Sequence, residues 1–214
     1  MIYQKENLKI YLGDCMELMR NYTDNYFDLA IVDPPYGYGN KETSILNFRQ
    51  KDNKDWNIAP DKNYFNELFR VSKDQIIWGG NYFSYLWNYG GRCFIFWYKG
   101  NPVENFADGE LAWTSFDKNA KQFDFRYYGN LEGNTSTSKK FHPTQKPIQL
   151  YNWILKTYGD KEFKILDTHL GSGSSAIASY YYGCSEFVGM EIDEDYYNAS
   201  IKRIKEQTSQ IKLL

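Results

Sequence analysis

The 214-residue sequence is poor in the residues that build covalent or metal frameworks, with three cysteines and two histidines. Cys15, Cys93 and Cys184 are odd in number, widely scattered and nowhere at Cys-x-x-Cys spacing. That pattern argues against a disulfide scaffold or a cysteine zinc site and fits a reducing cytoplasm. His142 and His169 stand apart, and no Cys or carboxylate lies at ligand spacing from either, so no metal is expected. The opening stretch Met1-Ile2-Tyr3-Gln4-Lys5-Glu6 lacks a signal-peptide layout, and apolar runs such as Cys93 to Tyr98 are far too short to cross a bilayer. The expectation is a soluble, cytoplasmic protein that does not engage a membrane. An excess of positive charge is missing as well: 25 Lys and Arg face 27 Asp and Glu, for a net charge of -2. Because neutralising phosphates takes clustered Lys and Arg, any surface for a polyanion must be local.

Aromatic residues are what the chain has in plenty, 20 Tyr, 14 Phe and 6 Trp. They suit stacking on bases, although core and rim packing accounts for most such rings. The length fits one domain spanning 1–214. Two short apolar runs, Phe27 to Val32 and Phe163 to Leu166, read as buried parallel strands, because each ends at a cluster of Gly, Pro or acidic residues. The second leads through Asp167-Thr168-His169-Leu170-Gly171-Ser172-Gly173-Ser174 into a helical stretch, Ser175 to Tyr182, and then a strand, Phe187 to Met190, ending at Glu191. Gln75 to Trp78, Cys93 to Tyr98 and Glu110 to Ser115 are further strand candidates. Asn63 to Val71, Gln149 to Tyr158 and Glu194 to Gln207 carry helical spacing. Strands alternating with helices predict an α/β sheet.

Two stretches, Gly37 to Lys62 and Asp117 to Phe141, are rich in Asn, Lys, Gly, Ser and Thr and read as loops. Around the second, Lys118, Lys121, Arg126, Lys139, Lys140 and Lys146 outnumber Asp117, Asp124 and Glu132. That is the local positive surface; a solvated loop with scattered charge is the plainer alternative.

Three motifs carry chemistry. In Asp33-Pro34-Pro35-Tyr36 an acid directly follows a buried strand and two prolines stiffen what comes next. Pro34 keeps Asp33 out of the helical region, and neither proline has an N–H, so the backbone offers carbonyls only. A rigid group of acceptors beside an aromatic ring suits an amino group on a flat base, which must be extruded from its stack to reach it. A bare proline turn is the alternative. The second motif, Asp167 to Ser174, is a Gly-rich turn between strand and helix that lets a nucleoside-bearing cofactor approach the backbone, with Glu191 ending the next strand where an acid could hold ribose hydroxyls. It lacks the three spaced glycines of a dinucleotide site and the Gly-Lys-Ser or Gly-Lys-Thr of a P-loop, which favours a cofactor without phosphates. The third is Phe141-His142-Pro143-Thr144-Gln145-Lys146-Pro147, in which Lys146 could neutralise a carboxylate and Thr144 could hydrogen-bond, unless both are surface residues.

Taken in order, these motifs resemble those of the DNA amino-methyltransferases (the N6-adenine/N4-cytosine family), in particular the circularly permuted group in which Asp-Pro-Pro-Tyr precedes the Gly-rich cofactor motif. The resemblance extends to Gly13-Asp14-Cys15, to Trp78-Gly79-Gly80-Asn81, and to Val188-Gly189-Met190-Glu191-Ile192-Asp193 with Tyr196 following. It implies a Rossmann-like, S-adenosyl-L-methionine-dependent methyltransferase fold, with a mostly parallel seven-stranded sheet flanked by helices. It further implies that Asp167, His169, Gly171, Ser172, Gly173 and Ser174 line the cofactor site and that Glu191, with Ile192 beside it, binds the ribose. Asp14 and the backbone of Cys15 would contact the cofactor's adenine, and Lys146 and Thr144 its methionine end. Asp33, bordering the cofactor, and the carbonyl of Pro34 would hold the target amino group, Pro35 would stiffen the turn, and Tyr36 would stack on the flipped base. His169 departs from the pattern, standing where the family more often has Phe, and Ser174 and Ser175 stand where Thr is common.

The activity so implied is DNA methylation at adenine N6, since resembling enzymes acting on cytosine N4 more often have Ser at the position of Asp33. N4-cytosine methylation is the rival within the same chemistry. Glutamine methylation fits less well, because related enzymes usually carry Asn there, and a noncatalytic nucleic-acid-binding protein of the same fold is the rival from another class. No covalent cysteine is needed. Specificity resides in base contacts made by loops, so 37–62 and 117–141 are the candidate DNA-contacting segments. They leave little room for a separate recognition domain, which implies a short site, relaxed specificity or a homodimer. A cognate restriction endonuclease is the further partner that a restriction-modification role would bring.

Overall fold

The computed structural model describes residues 1–37, 58–100, 107–126 and 145–209. Nine strands form one sheet: β1 (Ile2–Lys5), β2 (Leu8–Leu12), β3 (Phe27–Val32), β4 (Ser72–Trp78), β5 (Phe94–Tyr98), β6 (Gly109–Thr114), β7 (Lys121–Asp124), β8 (Lys164–Asp167) and β9 (Glu186–Glu191). Five helices accompany them: α1 (Cys15–Met19), α2 (Lys62–Val71), α3 (Ile148–Tyr158), α4 (Ser174–Tyr182) and α5 (Glu194–Thr208). The strand order is β1-β2-β9-β8-β3-β4-β6-β5-β7. The central run from β2 to β4 is parallel throughout, and β1, β6 and β5 bring the antiparallel pairs. The α/β class and the mostly parallel sheet are as expected from the sequence, while the strand count is nine where seven were expected.

The strands not read from the sequence lie at or beside the two sheet edges. β1 and β2 form a hairpin whose turn holds Glu6 at φ 49, and β7 is the edge strand Lys121-Gln122-Phe123-Asp124, inside the stretch read as a loop. An edge strand faces solvent and is held mainly by main-chain bonds, so its side chains carry little apolar signal. The central strands announce themselves for the opposite reason. β3 is a near-continuous apolar run because β8 and β4 flank it and both its faces are covered.

Alternation along β3 divides the core. Leu29 and Ile31 pack with Leu150 and Ile154 of α3, Ile177 of α4 and Ile204 of α5. Ala30 and Val32 pack with Met19 of α1 and Tyr64, Phe65 and Leu68 of α2. Helices therefore cover both faces. α2 starts where the Asp61 side chain accepts from the N–H groups of Asn63 and Tyr64, at 2.9 and 3.2 Å. Its buried residues, Tyr64, Phe65, Leu68 and Val71, recur at helical spacing. Full burial of one such side chain contributes about 1.5–3 kcal/mol. Among the described residues no helix is long and apolar enough to cross a membrane.

Candidate active site

The parallel strands β9, β8, β3 and β4 end at one edge of the sheet, and the chain leaves β8 and β3 toward opposite sides, β8 to β9 and β3 to β4. Such a switch point opens a crevice at the carboxyl ends of the strands. Asp33 follows β3, Asp167 ends β8, Glu191 ends β9, and Gly79 follows β4. Acids read from the sequence as strand ends are thus brought together in space.

Asp33 is 11% exposed at its side chain, and Pro34 behind it is buried. Its Oδ1 accepts the Tyr36 hydroxyl at 2.7 Å, and its Oδ2 accepts the ammonium of Lys146. Lys146, only 3% exposed, stands 5.1 Å from the centre of the Trp78 ring and 3.2 Å from Glu110 Oε2. Glu110, on β6, also pairs through Oε1 with Lys99, just past β5. Burial raises the Asp33 pKa, the Glu110 carboxylate adds to that rise, and Lys146 and the Tyr36 hydroxyl oppose it without cancelling it. Burial works against the charge on Lys146, but Asp33 and Glu110 outweigh it and hold the ammonium charged. Burial would raise Glu110 too, yet Lys146 and Lys99 push it down to about 2.

Tyr36 is fixed from behind by Gly79. With φ 69, Gly79 occupies a left-handed conformation, and a β-carbon there would fall 2.1 Å from the Tyr36 ring. Tyr82 approaches the same ring at 4.9 Å between centroids, tilted by 33°.

The Gly-rich loop leads from β8 into α4. Glu191 organises it: Oε2 accepts the Gly171 N–H at 2.8 Å and Oε1 the Asp193 N–H at 3.0 Å. Each carboxylate oxygen keeps a further lone pair for a hydroxyl. Gly171 and Gly173 both take positive φ, 51 and 74. Ser174 donates to the Lys146 carbonyl at 2.7 Å, and Arg203 of α5 bonds the Ser172 carbonyl and the Ser174 hydroxyl, both at 2.8 Å. The loop is thereby joined to the segment carrying Lys146. Asp167 accepts from the Ser175 hydroxyl and from the His169 N–H, and burial still lifts its pKa to about 7. Among the described residues its hydrogen-bond donors are all neutral. A buried carboxylate held by neutral donors suits a cationic ligand, and S-adenosyl-L-methionine, with its sulfonium and ammonium groups, fits that donor set.

His169 lies half-buried, its Nδ1 2.9 Å from the Thr168 hydroxyl, which in turn lies 2.6 Å from the Tyr64 hydroxyl. Burial lowers its pKa to about 4, so the ring is neutral. Among the described residues there is no cluster of His, Cys, Asp or Glu able to hold a metal. Asp14 is exposed and caps α1, accepting the Met16 N–H at 2.7 Å. Burial pushes the Cys15 thiol up to about 12, which leaves it inert as a nucleophile. Ile192 is 65% exposed beside Glu191.

Thr144 and His142 lie outside the described residues, as do 38–57 and 127–143 of the two loop-like stretches and their surroundings. Lys146, expected at the methionine end of the cofactor, bonds Asp33 and approaches Glu110. Sequence reasoning missed Glu110, Lys99 and Arg203 as parts of the site. One signal was available: Glu110 is an acid in a strand otherwise made of Gly, Leu, Ala, Trp and Thr.

Known proteins resemble this chain in sequence and in fold. The family model N6_N4_Mtase, DNA methylase, matches residues 72–202. The chain is 22% identical to the type II methyltransferase M.ScaI of Streptomyces caespitosus, over 98% of this chain and 85% of that protein. It is 25% identical to the type II methyltransferase M2.MboI of Moraxella bovis, over 97% and 91%. Among solved structures, the M1.HpyAVI-SAM complex is similar in fold, with a TM-score of 0.61 at 22% identity, over 92% of this chain and 99% of that one. The cytosine-N4-specific PvuII DNA methyltransferase gives 0.65 at 14% identity, over 97% and 92%. With motifs, fold and family match in agreement, the chain belongs to the N6/N4 DNA methylase family, whose cofactor is S-adenosyl-L-methionine.

Proposed function

We propose that this chain methylates the N6 amino group of an adenine flipped out of DNA. The observation that carries the reading is Asp33 at the head of the tetrapeptide, a carboxylate at the carboxyl end of β3 whose Oδ1 is held by Tyr36. S-adenosyl-L-methionine, when bound, supplies an already activated sulfonium methyl. What the chain adds is alignment of a poor nucleophile, since the lone pair of an exocyclic amino group is delocalised into its ring. The Asp33 carboxylate and the Pro34 carbonyl accept its two N–H bonds, favour a pyramidal nitrogen and stabilise the positive charge that develops there. Tyr36, backed by Gly79, stacks on the base. Asp167, Gly171, Ser172 and Gly173 line the cofactor, with His169 and Ser174 packing beside them, and Glu191 takes its ribose hydroxyls. Asp14 and Cys15 border the adenine.

The stretches 37–62 and 117–141 are the proposed DNA contacts of a single domain. The type II methyltransferases among the relatives support a role in restriction-modification, with a cognate endonuclease as partner. Digestion of methylated DNA to nucleosides tests the target. N6-methyladenine is the expected product; N4-methylcytosine would overturn the adenine reading and leave the amino-methylation chemistry standing. Absence of any methylated nucleoside, together with no cofactor binding by calorimetry, would favour a noncatalytic nucleic-acid-binding role.

A further inference from the structure

Lys146 is a buried cation offered two carboxylates by two different strands. Its ammonium is bonded to Asp33 Oδ2 and lies 3.2 Å from Glu110 Oε2. Glu110 Oε2 is shut off from solvent and, among the described residues, its one polar neighbour is the Lys146 ammonium, at ion-pair distance without full hydrogen-bond geometry, while the Glu110 side chain as a whole is 29% exposed. A charged acceptor at ion-pair distance without a hydrogen bond needs only a small swing of the lysine to be satisfied, and a lysine ammonium has three donors on a flexible stem with which to make it. Lys99 anchors the other oxygen of Glu110, so the carboxylate is fixed in place to receive it. Trp78, facing Lys146 at 5.1 Å, offers the cation an aromatic surface in either position.

On the proposed function, Asp33 must accept hydrogen bonds from an amino group that becomes positive as it is methylated. A lysine ammonium on that same carboxylate competes for its lone pairs and repels the developing charge. We infer that Glu110 is a positioning residue that takes over the Lys146 ammonium when the target amino group docks on Asp33, so that the base meets a carboxylate relieved of its cation. This inference rests on the amino-methylation reading above.

The titratable groups facing Asp33 are Tyr36 on its own loop, Lys146 ahead of α3, Glu110 on β6, Tyr64 on α2, Tyr151 on α3 and Asp167 at the end of β8. Of these, Glu110 is the one whose removal leaves Lys146 committed to Asp33.

The test is kcat and KM for DNA methylation by the full chain across pH, for wild type, Glu110→Gln, Glu110→Asp and Lys99→Met, with cofactor affinity measured in parallel. Glu110→Gln keeps the size but not the charge. We expect kcat to fall roughly tenfold or more, below the 10²–10³ lost on removing a direct electrostatic contact. Its acid limb should move to lower pH, because Lys146 then stays on Asp33, and cofactor affinity should hold. Glu110→Asp should recover part of kcat. Lys99→Met frees Glu110 to draw Lys146 away from Asp33, so its acid limb should move to higher pH. The two deleted charges shift the limbs in opposite directions on their own, so the hand-over is read from the fall in kcat of Glu110→Gln at pH values above the limb, with cofactor affinity held, and from its partial recovery in Glu110→Asp. Glu110→Gln with the kcat and acid limb of an active wild type overturns the inference alone. If Glu110→Gln does not fold, Lys99→Met decides, and an acid limb unmoved or lowered in that variant overturns it. A wild-type protein that transfers no methyl group to DNA overturns the proposed function and this inference together.

Discussion

Gly79 and Tyr36 meet backbone to ring, so closely that a single added β-carbon on Gly79 would fall 2.1 Å from the Tyr36 Cε1. Gly79→Ala therefore has two effects: left-handed strain at φ 69, about 1–3 kcal/mol, and displacement of the ring proposed to stack on the target base. Gly183, with φ 76 and nothing within 4 Å of the same added atom, isolates the first effect. Thermal melts should show both alanine variants destabilised, whereas kinetics should show kcat lost, roughly tenfold or more, in Gly79→Ala only. Equal activity in the two would show that the position of Tyr36 does not matter to the reaction.

Asp33→Ala removes the carboxylate that Tyr36 and Lys146 hold. Methyl transfer should fall by at least about 10²–10³, while cofactor binding, proposed to rest on the Gly-rich loop and Glu191, should survive. Transfer of labelled methyl to DNA at the wild-type rate would overturn the catalytic assignment.

Asp167 titrates at about 7 because burial outweighs its hydrogen bonds from Ser175 and the His169 N–H. A cationic cofactor prefers the ionised carboxylate, so below pH 7 binding must expel a proton. The dissociation constant should tighten as pH rises toward 7, by up to about tenfold per unit, and flatten above it. Calorimetry in buffers of different ionisation enthalpy should detect proton release near pH 6. In Asp167→Asn, affinity should be weaker and nearly free of pH dependence. A wild-type profile flat from pH 5 to 8 would contradict a contact between Asp167 and the cation.

His169 is kept neutral by burial, with its folded pKa lowered to about 4 from 6.5. Its contribution to stability is present above the unfolded pKa and is lost as pH falls from 6.5 through 4, where the unfolded chain binds a proton that the folded one excludes. Asp167 has the opposite sign: its folded pKa is raised, so its contribution is full below the unfolded value of 3.8 and is lost as pH rises toward 7. His169→Phe removes the first effect and leaves the second. Urea melts should show the variant gaining on wild type as pH falls from 6.5 to 4. A constant difference between the two would mean that the imidazole titrates normally.

Much of the site was legible because its acids terminate strands. Phe27 to Val32 had to be buried on both faces, so the charge at Asp33 marked where the strand ran out, and the same logic found Asp167 and Glu191. Boundaries came within a few residues, as with Gln75 for a strand that begins at Ser72. The edge strands β1 and β7 were missed, since an exposed edge leaves mainly main-chain bonding to define it, and β2 was missed although its buried Leu8 and Ile10 alternate with less buried residues. Glu110 had a weak signal, an acid in an apolar strand, and Lys99 none beyond following one.

By itself the sequence determined which segments are buried, which turns interrupt them and which residue types stand at those turns, because burial and turn geometry are local demands on side-chain chemistry. The partner of Lys146 was decided only by the tertiary structure. Asp33 lies 113 positions away along the chain, and Glu110 arrives through antiparallel pairing of β6 with β4 and β5. Nothing local distinguishes a lysine that meets a cofactor carboxylate from one that meets Asp33. That choice depends on strand order and register, which bring distant charges within reach of one another where water no longer screens them.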